Sequence, residues 1–135
     1  MGVWAKRILL VCILGLSVAA CRQPQPINNV NNHAIPGMAQ QKLTEEKIGE
    51  LIVRAAVATD WSIEPIGVGR YRITTRWRDF SAVSEIAFTR QSYSIQLDHS
   101  RNLKEKNGLI HPRYNQKVQT LTIEIDRQLT LAALN

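Results

Sequence analysis

Six polar side chains in the last third of this chain are of the types that do chemistry: His99, Ser100, Asn102, His111, Tyr114 and Asn115. Imidazoles move protons and ligate metals, and hydroxyls and amides orient a bound group. Convergence of these groups where a strand meets a helix would make a small polar pocket with His111 as base or ligand. The spacing does not point to catalysis. There is no His-x-x-x-His pair, no nucleophile elbow and no carboxylate pair beside them. The same residues have an ordinary structural use, with His111 just outside a helix, Ser100 and Asn102 bonded to loop backbone, and Asn115 tying the loop to the helix. The residues favour that use. They assign no catalytic residue, no metal and no cofactor, and leave a small-ligand or metal-binding module around His99 and His111 as the alternative.

A second constellation is cationic. Arg70, Arg72, Arg76 and Arg78 alternate with Tyr71, Ile73, Thr75 and Trp77, so a strand puts the arginines on one face. Arginine presents a planar donor fork suited to phosphate or carboxylate, which would make this an anion-binding surface. The plainer account is a solvated sheet face whose arginines pair with Glu85 and Asp98.

The remaining reactive groups are the two cysteines, Cys12 and Cys21. Lys6 and Arg7 precede an apolar run from Ile8 to Ala20, too short for a span of roughly 20 residues but suited to a secretory signal. The run closes with Val18-Ala19-Ala20-Cys21. This segment resembles the lipobox of bacterial lipoproteins, with Val18 where Leu is more usual. The resemblance implies that residues 1–20 are a signal peptide and that Cys21 becomes the acylated (diacylglycerol and palmitate-type) first residue of the mature chain. Cys12 would leave with the signal, so no disulfide or cysteine metal site could form. Two or more acyl chains give stable anchoring. Arg22 follows in place of the Asp associated with inner-membrane retention, which implies a periplasmic body on the outer membrane, the inner membrane being the alternative.

Residues 22–41 are rich in Pro, Asn and Gln and poor in core-forming side chains. On composition they read as a disordered tether, extending about 60–70 Å, with His33 a solvated linker residue. The domain expected at 42–135 is one small body. Of the 17 basic residues only Lys6 and Arg7 precede Cys21, so the remainder still outnumber the 11 acidic ones. A mildly basic body favours anionic lipid, peptidoglycan or an acidic envelope protein as partner. No basic run interleaved with stacking aromatics suggests nucleic acid.

The elements that must position these groups follow from periodicity. Thr44 caps a helix in which Ile48, Leu51, Ile52, Ala55 and Thr59 form an apolar stripe, Leu43 staples to Ile48, and Glu50 can pair with Arg54. It ends near Thr59-Asp60. Trp61 to Ile63 is a short strand or lead-in, broken by Pro65, Gly67 and Gly69. Strands are then predicted over 70–78, 82–89 and 93–97, with Ile73 facing Ile86 and Ile86 facing Ile95. A last helix starts at Pro112, with Tyr114, Val118, Leu121, Ile125 and Leu129 inward and Arg127 near its end. The expected fold class is α+β: an α-β-β-β-α two-layer sandwich, a three-stranded antiparallel meander with both helices on one face.

Tyr93-Ser-Ile95, Ser100-Arg-Asn-Leu103 and Ile110-His111-Pro-Arg-Tyr114-Asn115, followed by Val118 and Leu121, resemble a family of small bacterial lipoproteins. Its pattern is an aromatic strand, a Ser-x-x-Leu loop and Ile-His-x-x-Tyr-Asn opening a helix. The similarity covers Trp61 to Leu129 together with the lipobox, and departs at Leu97 and Lys117, where aromatics are usual. It implies a lipid-anchored envelope protein, and neither a reaction nor a ligand.

Overall fold

The computed structural model describes residues 23–135. The signal segment at 1–20 and the acylation site at Cys21 lie outside the described residues. Helix α2 (Glu45–Ala58) forms where the stripe predicts, and Thr44 Oγ1 accepts the Lys47 N–H at 3.1 Å. Asp60, at φ 64°, ends it. Glu50 pairs with Lys47 at 3.4 Å and not with Arg54. Helix α3 (Pro112–Leu134) starts at the expected proline. It runs past Arg127, which pairs with Glu124 at 2.9 Å on its own helix face and does not reach the last turn.

The expected α+β two-layer arrangement is present, with a wider sheet than three strands. Strands β2 (Val30–Ala34), β3 (Ser62–Gly67), β4 (Arg70–Trp77), β5 (Phe80–Phe88) and β6 (Ser92–Arg101) form one antiparallel sheet in the order β2-β6-β5-β4-β3. A second, two-stranded pairing joins β1 (Gln25–Pro26) to β7 (Leu109–Ile110). Pro65 is tolerated in β3 because that strand is the sheet edge, where a missing N–H breaks no ladder. On the inner face Ile73, Ala82, Ser84, Ile86, Tyr93 and Ile95 are buried beneath α2 and α3, which contribute Ile48, Ile52, Leu121 and Ile125 to one core. No helix among the described residues is long and apolar enough to cross a membrane.

Register differs in one place. Ile86 faces Ile95 as expected, but Ile86 also faces Tyr71, and Ile73 faces Ser84. Trp77 pairs with Phe80, so the chain reverses through Arg78-Asp79, a turn that starts one residue and ends two residues before the loop expected at 79–81. A slip of two keeps every side chain on its own face, so the inner apolar face survives the error.

The larger correction concerns the supposed tether. Residues 25–42 carry β1, β2 and a short helix α1 (Gly37–Lys42). Val30 pairs with Ile95 and His33 with Tyr93, while Ile35 and Ala39 are 1% and 0% exposed. His33 Nε2 meets Asp126 Oδ2 at 2.8 Å, and its ring lies 5.0 Å from that of Tyr93. Composition misled because an added edge strand takes its backbone bonds from a sheet that already exists. It then needs only a few apolar anchors. The asparagines are used the same way: Asn29 Oδ1 accepts the Leu97 N–H at 3.1 Å, and the Asn32 N–H bonds to Ser94 Oγ at 2.9 Å.

Candidate functional site

The six polar residues do not form a common pocket. His99 lies opposite Val83 next to a bulge in β6, exposed, with Nδ1 3.0 Å from Asp98 Oδ2. Ser100 Oγ donates to Glu105 Oε1 at 2.6 Å, and Asn102, at φ 60°, donates from Nδ2 to the Asp79 carbonyl at 2.7 Å. The first bond braces the loop after β6. The second ties that loop to the β4–β5 turn.

His111 is the N-cap of α3. Its Nδ1 accepts the Arg113 N–H at 3.1 Å, which in the neutral ring leaves the proton on Nε2. Its own N–H donates to the Leu103 carbonyl at 2.8 Å. Tyr114 is fully buried and its hydroxyl shares a 2.8 Å hydrogen bond with Ser84 Oγ. Burial pushes its phenol up to about 12, with the Ser84 bond opposing and the Glu105 charge adding. Tyr93 is raised further by burial, then by the charge of Asp126 and the bond to it. Both phenols are engaged in hydrogen bonds, Tyr114 with Ser84 and Tyr93 with Asp126. Asn115 does not tie the loop to the helix. It clamps the N-terminal segment, donating from Nδ2 to the Pro26 carbonyl and accepting the Asn28 N–H at Oδ1, both at 2.9 Å.

His99 and His111 thus have separate partners, and no cluster of three or more His, Cys, Asp or Glu able to hold a metal exists among the described residues. Beside His111 there is an open cleft of about 330 Å³ lined by Trp77, Arg78, Phe80, Leu103, His111 and Arg113. The Trp77 and Phe80 rings stack with centroids 5.6 Å apart, and Phe80 lies 6.4 Å from the imidazole. Two guanidinium groups and an imidazole line this cleft beside the start of α3. Trp77, Phe80 and Arg113 were not singled out in the sequence. The signal was there in the aromatics flanking Arg78-Asp79.

The four arginines do not form one surface either. Arg70 Nε donates to Glu85 Oε1 at 2.7 Å, with Nη2 on the same oxygen, and Arg72 Nη1 reaches Glu64 at 3.4 Å. Asp98, expected to pair with an arginine, is occupied by His99. Arg78 sits in the hairpin turn at φ 54° and lines the cleft. Arg76 has no ion-pair partner among the described residues, and the register aligns it with Ser81 and Arg101 across the outer face. Further along that face, Glu85, Gln96 and Asp98 line a shallow groove of about 270 Å³. The outer face is therefore charged in both signs.

The chain matches no protein-family model, no curated protein and no solved structure.

Proposed function

We propose that this chain is a lipid-anchored lipoprotein of the bacterial envelope, a non-enzymatic module held at the periplasmic side of the outer membrane by acylated Cys21. Its partner is an acidic envelope protein or peptidoglycan, bound on the outer face of the sheet. The anchor rests on Val18-Ala19-Ala20-Cys21 and the apolar run before it. The observation that carries the binding role is that Arg76 and Arg101 are exposed on the outer sheet face across one register row, with no ion-pair partner among the described residues. The reading is supported by the structural bonds that Asn102, His111, Tyr114 and Asn115 make within the fold.

Two measurements test the reading. Mass spectrometry of the mature N-terminus should find an acylated Cys21, and Cys21→Ser should block processing or release the protein. In-cell crosslinking should recover a partner that the double variant Arg76→Glu/Arg101→Glu loses. Undiminished crosslinks in that variant would remove the sheet face as the binding surface.

A further inference from the structure

One end of the domain gathers the first described strand and a set of cations without ion-pair partners among the described residues. β1 is held at Gln25–Pro26 by β7 and by Asn115, and the Ile27 N–H donates to the Gly108 carbonyl at 3.0 Å. Cys21 is four residues before Gln25, so its α-carbon lies at most about 14 Å from that strand. A lipid on Cys21 therefore attaches almost directly to this end, not through a 20-residue leash.

The surface around that attachment is basic. Lys104 and Lys106 are exposed in the loop leading to β7, Arg113 is exposed on the first turn of α3, and Arg78 lines the adjoining cleft. None of the four enters an ion pair among the described residues, whose pairs all lie elsewhere. Glu105 and Asp79 are the acidic residues interspersed with them, and Glu105 accepts the Ser100 hydroxyl. Leu109, 41% exposed, adds an apolar side chain on the strand that holds β1.

From this juxtaposition we infer that the β1–β7 end docks on anionic lipid headgroups. Lys104, Lys106 and Arg113 face the phosphates, and the cleft between Arg78 and Arg113 receives one of them. The inference rests on the acylated Cys21 proposed above and goes beyond it. An anchor alone leaves the body free to tumble, whereas docking fixes its orientation and leaves the Val68 end, which is 96% exposed at the β3–β4 turn, pointing away. Acyl chains supply the membrane affinity and the cations supply the orientation. Each basic residue near an anionic surface shifts the docked-to-undocked ratio about fivefold, so neutralising three lowers it on the order of a hundredfold. The effect weakens as salt shortens the screening length.

The test uses the mature lipidated chain reconstituted in vesicles carrying brominated acyl chains, of phosphatidylglycerol or of phosphatidylcholine. Leu109→Trp and Val68→Trp, each in a Trp77→Phe background, put a fluorophore at either end. Flotation reports anchoring, and bromine quenching reports orientation. The expected result is strong quenching of Leu109→Trp in phosphatidylglycerol, weak quenching in phosphatidylcholine or after Lys104→Gln/Lys106→Gln/Arg113→Gln, and Val68→Trp no more quenched than the parent. Flotation with equal quenching at both ends, or with quenching indifferent to lipid charge, overturns docking while leaving the anchor intact. A chain that does not float overturns both.

Discussion

Ile35 is the residue on which the revised domain boundary can be tested most directly. It lies in the Asn- and Pro-rich stretch that composition assigns to a tether, yet it is 1% exposed and its N–H donates to the Gln91 carbonyl at 2.9 Å. Ile35→Ala removes three carbons from the core. At about 0.8 kcal/mol per buried methylene the transfer loss is about 2.4 kcal/mol, and the cavity left behind brings the total to about 3 kcal/mol, within the usual range of about 2–5. With a urea slope of about 2 kcal/mol per molar for a small domain, the midpoint should fall by about 1.5 M. The assay is equilibrium urea unfolding followed by the fluorescence of Trp61 and Trp77, both distant in sequence from the substitution and Trp61 only 2% exposed. Met38→Ala, three residues on in the same segment but 48% exposed, serves as the control and should change stability by no more than about 0.5 kcal/mol. If Ile35→Ala moved the midpoint no further than Met38→Ala, the segment would be a separable strap, and its inclusion in the cooperative core would be refuted.

Four other outcomes are expected. Asn115→Ala should cost about 1–2 kcal/mol and speed amide exchange at Asn28, because it breaks the bonds that clamp β1. His111→Ala should cost about 1 kcal/mol, recovered by His111→Ser, while divalent-metal titrations by calorimetry stay unchanged, as a cap and not a ligand requires. Gly49→Val should destabilise by about 1–3 kcal/mol in thermal melts, since even a Cβ there would sit 2.9 Å from the Phe88 ring and the Tyr71 hydroxyl. Alkaline unfolding should show the buried phenol of Tyr114. Its folded value of about 12 lies above the unfolded value of 10.0, so the folded state holds the proton more tightly. That contribution, about 2–3 kcal/mol, is complete below pH 10 and is lost as pH rises towards 12, and Tyr114→Phe should flatten the slope.

Much of the architecture was legible because it depends on local periodicity. Thr44, the stripe from Ile48 to Ala55, Pro112 and the run from Tyr114 to Leu129 mark both long helices through spacing and capping alone. The alternation from Arg70 to Trp77 sorted its side chains to the correct faces. The candidate site was less legible. His99 follows a β-bulge and His111 is a helix cap, and neither feature leaves a reliable trace in residue spacing. Asn115 was expected to tie the loop to the helix, but its partner lies 87 residues away at Asn28, a separation over which no spacing rule operates.

By itself the sequence determined the α+β class, the two helices, the three central strands and the face of each strand that is buried. These follow from side-chain period and backbone propensity, which act within a few residues. Tertiary structure alone decided that the Asn-rich segment joins the sheet, that Arg70 and Arg72 pair with Glu85 and Glu64 while Arg76 has no ion-pair partner among the described residues, and that β1 pairs with β7. Each depends on backbone edges and charges that become neighbours only after the chain has folded, when a polar strand can take its bonds from a waiting sheet.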